Sequence, residues 1–231
     1  MPKSTFFNLP EEKRNQIVQV ALEEFADHDY ASVSISRIVA RAGIAKGSFY
    51  QYFAGKADLL HYLMDRMAEA KTRMLSLDRP DPHHVGVFAY LRWLLRVSAT
   101  FELANPLMSR AAYRIATTAP EELMAPHLET AFTFYKQLVA LGKEQGDIAP
   151  EIDDDLAAFL FTTFLTEFTR YLIDKIVAVH GSGWQGKQAI VEFPEFRRLF
   201  EQALWVLEHG LAAHPDGTGT DGIRLERAEQ G

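Results

Sequence analysis

Apolar side chains recur every three or four positions over most of this chain, which is the spacing of amphipathic helices. Near the N-terminus, Ile17, Ala21 and Phe25 follow this spacing, after Pro10 and two acidic residues. Proline and acids in the first turn are typical of a helix start. We find no convincing strand candidate and no internal repeat, so the sequence predicts an all-α protein.

Two short helices are predicted after this first one. Ser34 is a suitable N-cap for the second helix, and Gly43 is a suitable residue to end it. A third helix is predicted over residues 45–53, and a fourth over residues 58–77. Prolines and glycines then mark the ends of longer helical runs, so that about nine helices are expected in all. These later runs cover residues 83–103, 105–117, 120–145, 153–180 and 193–213.

Composition excludes several classes of protein. Hydrophobic residues make up 48% of the 231 residues, which is enough for a sizeable core, and cysteine is absent. Without cysteine the chain forms no disulfide and no thiolate metal site. The N-terminal segment has no apolar run typical of a signal peptide, and no segment approaches about 18 uncharged apolar residues. We therefore expect a cytoplasmic protein with no membrane partner.

Charge is distributed unevenly along the chain. The net charge is −7, yet residues 1–60 carry seven basic and seven acidic groups. Residues 31–57 contain four basic groups and no acid. Because charges beyond a Debye length of about 8–10 Å are screened, this local sign is what an approaching phosphate experiences. The N-terminal quarter can therefore meet a polyanion although the whole protein is acidic.

The segment IAKGSFYQYFAGK, residues 44–56, combines four aromatic rings with two lysines and contains no acid. It forms the third predicted helix and the turn after it. Two short helices joined by a tight turn, behind a supporting helix, make a helix-turn-helix, whose second helix enters the DNA major groove. The sequence therefore predicts that this segment faces DNA.

The rings of this segment are expected to divide between two faces. Phe49 and Phe53 are four residues apart and should pack inward. Lys46 can reach a phosphate, while Gln51 can bind adenine through two hydrogen bonds. For Arg37 and Arg41, an ordinary solvated helix face remains an equal alternative to DNA contact.

Residues 33–60, VSISRIVARAGIAKGSFYQYFAGKADLL, resemble the N-terminal signature of the TetR family of bacterial transcriptional regulators. The similarity extends over roughly residues 11–62. Two positions depart from the usual pattern: Ala45 stands where serine is common, and Gln51 occupies a variable position. The resemblance implies that DNA is contacted by Ser34, Ser36, Arg37, Lys46, Gly47, Ser48, Tyr50, Gln51, Tyr52 and Lys56.

The resemblance also implies a division into domains. Residues 1–57 would be the DNA-binding domain, and residues 58–213 would be a larger helical domain that binds a ligand and dimerises. Residues 58–77 would link the two, and residues 214–231 would form a flexible tail. The many large apolar residues of the second domain are compatible with an ordinary core or with a ligand cavity. Candidates for the cavity are Phe88, Arg92, Phe101, Met108, Tyr113, His127, Phe132, Tyr135, Phe164 and Phe168.

The last two predicted helices are apolar over more than one side, which suggests burial against both the core and a partner. The resemblance implies a two-fold homodimer in which these helices form a four-helix bundle. Two recognition helices would then bind half-sites about 34 Å apart. The candidate interface residues are Leu156, Phe159, Leu160, Thr163, Phe196, Phe200, Leu204 and Leu207.

The sequence carries no recognised catalytic motif. The sequence contains no HExxH, P-loop or GxSxG motif. Three aspartates at residues 153–155 open a helix, where acids favour the positive end of the dipole. We expect no enzyme, metal or cofactor. The expected function is a DNA-binding regulator, a repressor released from operator DNA by a small, apolar or aromatic effector. The alternative is a ligand-binding or protein-interaction module whose helix-turn-helix no longer binds DNA.

Overall fold

The computed structural model describes residues 1–180 and 194–211, and within them the chain forms eleven α-helices and no strand. The prediction of an all-α fold is confirmed. A short 3₁₀ helix, Tyr30–Ser32, precedes the third α-helix. In chain order the α-helices are α1 (Ser4–Phe7), α2 (Glu11–Asp27), α3 (Ile35–Ala42), α4 (Lys46–Tyr52), α5 (Lys56–Leu75), α6 (Pro82–Val85), α7 (Val87–Ala104), α8 (Pro106–Thr118), α9 (Glu121–Gln145), α10 (Asp154–His180) and α11 (Pro194–Leu211).

The nine predicted helices correspond to all of these except α1 and α6. Those two helices contain four residues each. A helix of one turn shows no hydrophobic period, so periodicity could not reveal them.

Local signals set the ends of the helix-turn-helix. The Ser34 hydroxyl accepts a hydrogen bond from the Arg37 N–H at 3.4 Å and caps α3. Gly43 ends α3 with a φ of 62°, a left-handed conformation that favours glycine. The Lys13 ammonium, from α2, donates to the Ala42 carbonyl at 2.8 Å. The turn between α3 and α4 is therefore fixed from within and from the supporting helix.

An N-terminal core holds α1 to α5 together, with Phe25, Phe49 and Phe53 fully or almost fully buried at its centre. The same cluster includes residues from α8 and α9, far along the chain: Ala111, Ile115 and Met124. The supporting helix α2 and the distant helix α8 pack directly against each other. The N-terminal helices therefore share their core with α8 and α9.

A separate C-terminal core is built from α7, α9, α10 and α11. Close packing of α9 depends on Gly142, since an added Cβ atom would lie 2.8 Å from Ile148 Cδ1 and 3.1 Å from Val87 Cγ2. Helix α10 starts after Asp153, whose carboxylate accepts from the Leu156 N–H at 2.9 Å. Phe161, on this helix, has no exposed surface.

Residues Asp154–Lys175 are long and apolar enough to cross a membrane by length and composition, with a mean hydropathy of 1.2. In the fold this stretch packs against α7, α9 and α11. Its apolar character therefore has a role within the C-terminal core.

The predicted division at residues 57 and 58 stays a prediction. By packing, the N-terminal core extends into α5 as far as Met67 and takes in part of α8. The predicted tail, 214–231, lies outside the described residues.

Candidate nucleic-acid interface

Helix α4 presents two chemically different faces. Phe49 and Phe53 have no exposed surface and lie in the N-terminal core. On the other side, Lys46 and Gln51 are exposed, and Tyr50 keeps 43% of its surface in solvent. The structure thus buries the two phenylalanines, as the sequence indicated, and it leaves the side with Lys46, Tyr50 and Gln51 available for a partner.

The leading end of α4 is open. Within the described residues, no acceptor or acid contacts the Lys46 ammonium. A Cβ atom added at Gly47 would find nothing within 4 Å. Internal packing therefore does not require a glycine there, but a duplex approaching the helix closely would favour one. Ser48 is half-buried beside it.

A buried carboxylate organises the start of α3. Glu24 is 1% exposed and accepts from the Ser34 N–H at 2.9 Å and from Arg37 Nε at 2.9 Å. Arg37 also donates to the Ser32 carbonyl at 2.5 Å. Burial raises the pKa of Glu24, but the hydrogen bonds from Arg37 and Ser34, together with the positive charges of Arg37 and His28, outweigh it, so the pKa lies below its ordinary value.

This network changes the predicted roles of the two arginines of α3. The Arg37 guanidinium binds Glu24 and the backbone, and Arg41 forms an ion pair with Glu23 of α2. Both groups thus stabilise the packing of α3 on α2. Ser36, which directly precedes Arg37, is exposed and remains a candidate for DNA contact.

Lys56 also has partners inside the protein. Its ammonium donates to the carbonyl of Tyr30 at 2.6 Å and lies 3.4 Å from the carbonyls of Ala31 and Val33. It also sits 4.4 Å from the centre of the Tyr30 ring. A phosphate contact by Lys56 would compete with these bonds, so its main role in the free protein is to hold the segment before α3.

Tyr52 is half-buried, unlike Tyr50. Its ring centroid lies 5.9 Å from that of Phe6, a residue with no exposed surface. Phe6 belongs to α1, which sequence reasoning overlooked. A pair of phenylalanines, Phe6 and Phe7, in a short polar segment was the available signal for a docked N-terminus.

The predicted ligand residues do not all belong to one core. Five of them are partly buried against the C-terminal core, whereas Met108 packs against the N-terminal core. Phe101 is 7% exposed, and the pKa of the Tyr135 phenol is raised by burial. The five on the C-terminal core are Phe88, Phe132, Tyr135, Phe164 and Phe168.

Two of the polar candidates lie at the surface, so their assignment to a cavity is corrected. Arg92 forms ion pairs with Glu201 and Glu208. Tyr113 is 48% exposed, and the Arg170 guanidinium lies 5.3 Å from its ring centre. The ring of a third candidate, His127, is half-buried, with its centroid 5.9 Å from that of His61 on α5.

Two of the open clefts on the described surface have volumes of about 580 and 610 Å³. One is lined on α11 by Glu201, Gln202, Trp205 and Val206, and the other lies along α9 between Pro126 and Gln137. Neither is lined by a predicted ligand residue, so the effector site stays a prediction.

The predicted dimer residues divide according to helix. On α10, the four candidates are exposed at the spacing of one helix face: Leu156, Phe159, Leu160 and Thr163. On α11, the prediction is wrong for Phe200, Leu204 and Leu207, which are buried in the protomer's own core. The side chain of Phe196 lies outside the described residues.

The exposed apolar residues of α11 are instead Trp205 and Val206, at 57% and 64% exposure. Periodicity identified α11 as apolar but assigned its inner face to the partner. We give the name dimer surface to Trp205, Val206 and the four exposed residues of α10, since these are exposed apolar positions on the two helices predicted to meet the partner. Its exposed aromatic and aliphatic groups suit a protein contact.

Comparison with known proteins gives matches over both parts of the chain. A family model described as bacterial regulatory proteins, tetR family, matches residues 17–63. A second one, described as the tetracyclin repressor-like C-terminal domain, matches residues 85–212, more than half of the chain.

Solved and curated relatives agree with these matches. The crystal structure of a TetR family transcriptional regulator from Chloroflexus aurantiacus is 43% identical, covers 93% of this chain and all of its own, and has a TM-score of 0.77. The regulator BetI 1 of Chromohalobacter salexigens is 34% identical over 77 residues, which are 31% of this chain and 38% of the relative. The A-factor receptor protein of Streptomyces griseus is 26% identical over 152 residues, 65% of this chain and 51% of the relative. Both curated matches thus span less than two thirds of the relative. The chain, matched along both domains and by a full-length structure, belongs to the TetR family of bacterial regulatory proteins.

Proposed function

We propose that this protein is a sequence-specific DNA-binding regulator of transcription that acts in the cytoplasm as a homodimer. The observation that carries this proposal is the exposed polar face of α4, which has a free lysine, a glycine not required by packing and a glutamine. The buried phenylalanines of the same helix hold it on a rigid support. We further propose that it is a repressor, released from operator DNA when a small apolar or aromatic effector binds the C-terminal domain.

In the bound state α4 lies in the major groove with its N-terminal end toward the bases. Lys46 contacts phosphate, and the open space at Gly47 lets the helix approach the duplex. Gln51 forms two hydrogen bonds with adenine, a pairing that contributes about 1–3 kcal/mol of discrimination. Ser36 and Ser48 are secondary candidates for base contact, and Tyr50 contacts backbone or a thymine methyl group.

A salt titration tests which residues contact phosphate. Lys46→Ala is expected to reduce the slope of log affinity against log salt by about one unit, because one phosphate contact is lost. Lys56→Ala is expected to change this slope less and to lower the free energy of unfolding by about 1–3 kcal/mol, because its carbonyl partners lose their donor. Fluorescence anisotropy with DNA from upstream of the gene, and urea denaturation, measure the two effects.

Gln51→Ala completes this test, since it should alter the preferred base sequence and leave the salt slope unchanged. If wild-type protein binds no DNA more tightly than random sequence, the alternative of a module without DNA binding is favoured. If all three variants bind like wild type, α4 is not the recognition helix.

Coupling between the domains is proposed to run through α8 as well as α5. Helix α8 contributes Ala111 and Ile115 to the N-terminal core. The Thr118 hydroxyl accepts from the Tyr30 N–H at 2.9 Å, next to the carbonyls that Lys56 binds. Arg114 pairs with Asp29 at 2.9 Å. A shift of α8 would therefore move the segment before α3, and the name of one relative, a receptor, fits an effector-binding domain.

An effector found by thermal-shift screening is expected to weaken operator binding by about 5–150-fold, the range typical of allosteric coupling. Thr118→Val should reduce this change by roughly fivefold, because a link of about 1 kcal/mol between α8 and the DNA-binding part is lost. Thr117→Val is a matched control, since the Thr117 hydroxyl bonds only to carbonyls of its own helix. A tightly bound effector that leaves operator affinity unchanged would contradict the proposal.

A further inference from the structure

The recognition helix has few interactions of its own that fix its position. Helix α4 contains seven residues, has no side-chain hydrogen bond at its N-cap Ala45 and has no basic residue in its last turn. Isolated helices of this length do not persist in water, and the last carbonyl groups of a helix have no partner within it. The position of α4 must therefore come from its surroundings.

Three consecutive carbonyls at the end of α4 are bound by the segment before α2. The Lys3 N–H donates to the Tyr52 carbonyl at 2.8 Å, and the Lys3 ammonium donates to the Tyr50 carbonyl at 2.8 Å. The Thr5 hydroxyl donates to the Gln51 carbonyl. These donors satisfy acceptors that the helix itself leaves open.

The segment that supplies these donors is firmly attached. Phe6 has no exposed surface, and its ring centroid lies 4.9 Å from that of Phe53 and 5.2 Å from that of Tyr62. The Arg14 guanidinium of α2 donates to the carbonyls of Phe7 and Leu9, each at 2.7 Å. Helix α1 is thus tied to α2, α4 and α5 at once.

We infer that α1 is a positioning element for operator recognition, with Lys3 and Thr5 as the residues that set the direction of the last turn of α4. This inference rests on the proposed function. The carbonyls they bind belong to Tyr50, Gln51 and Tyr52, the residues whose side chains would meet DNA. Contacts with bases require a fit within about 0.5 Å, so a loosely held last turn reduces both affinity and base discrimination.

The role of Lys3 is to be distinguished from a direct phosphate contact. Its ammonium is engaged with the Tyr50 carbonyl in the free protein. A lysine that acts by positioning changes affinity equally at all salt concentrations, whereas a lysine that contacts phosphate changes the salt slope by about one unit. The slope therefore separates the two roles.

The experiment compares wild type with the double variant Lys3→Met, Thr5→Val. Operator affinity is expected to fall roughly 10-fold, because two hydrogen bonds to α4 are lost, with an unchanged salt slope. If Thr5→Val is replaced by Thr5→Ser, which keeps the hydroxyl, most of the operator affinity lost through Thr5→Val should be restored. Ser4→Ala is the matched control, because Ser4 is exposed on the same short helix and its hydroxyl makes no hydrogen bond within the described residues. A salt slope reduced by about one unit would overturn the inference.

Hydrogen exchange gives a readout that does not depend on DNA. Amides of residues 49–53 are expected to exchange about 5–10-fold faster in the double variant, while amides of α7 and α10 keep the wild-type rate. Unchanged exchange in α4 would overturn the inference even if operator binding changed. Failure of wild-type protein to bind any operator would refute the proposed function alone, since the exchange measurement would still decide the role of α1.

Discussion

Replacing Phe49 with alanine is expected to lower the free energy of unfolding by about 3–5 kcal/mol, because a fully buried ring is removed from a packed core. Phe49 has no exposed surface, and its ring centroid lies 5.5 Å from that of Phe53. Small domains are stable by only about 5–15 kcal/mol, so most of the support of α4 would be lost. Operator affinity should fall at least about 100-fold. Urea denaturation and anisotropy measure the two quantities.

Tyr50→Ala provides the comparison within the same helix. Tyr50 is 43% exposed, and its ring meets that of Phe49 edge-on, with ring centroids 5.4 Å apart. Its removal should change stability by about 1 kcal/mol or less, yet it should still weaken operator binding. If Tyr50→Ala destabilises the protein as much as Phe49→Ala does, the two faces of α4 have been assigned wrongly.

The inward face of α4 could be predicted because it depends on local signals. Phe49 and Phe53 are four residues apart, and their spacing alone places them on one side of a helix. The ends of α3 were predictable for the same reason, since Ser34 and Gly43 act on the residues next to them. Such features are fixed by neighbours in the chain, so one sequence is enough to reveal them.

The partners of the charged groups could not be predicted in this way. Lys56 binds carbonyls more than 20 residues earlier in the chain, and Arg37 binds a glutamate of the preceding helix. The sequence showed an acid-free window, but the acids that neutralise part of it lie in α2. The DNA-facing surface therefore carries less unpaired positive charge than the number of basic residues implied. Lys46 is the clearest contributor to it.

The same limit explains the error on α11. Its apolar positions repeat around more than one side of the helix, so periodicity shows that it has two contacts but not which face belongs to which. Phe200 and Leu204 face the protomer's own core, and Trp205 and Val206 remain exposed. Only the packing of α7 and α10 around α11 decides between the faces.

Phe159→Glu is expected to dissociate the homodimer and to weaken operator binding by at least about 100-fold. Phe159 is 56% exposed on α10 and is one of the residues of the dimer surface. In a two-fold dimer the substitution occurs twice, and each copy places a carboxylate in an apolar contact where nothing neutralises it. A monomer binds one half-site and loses the contribution of the second. Analytical ultracentrifugation across a concentration series measures the first effect, and anisotropy with the operator measures the second.

Leu128→Glu is the matched control for this substitution. Leu128 is 54% exposed on α9, so it has nearly the same exposure but lies outside the dimer surface. It should leave both association and operator affinity at wild-type values. Leu204→Ala serves a second purpose. Loss of this buried leucine side chain should lower the free energy of unfolding by about 2–5 kcal/mol without a specific effect on association of the folded protein. If Leu128→Glu dissociates the dimer and Phe159→Glu does not, the partner binds α9 instead, and the four-helix arrangement of α10 and α11 is refuted.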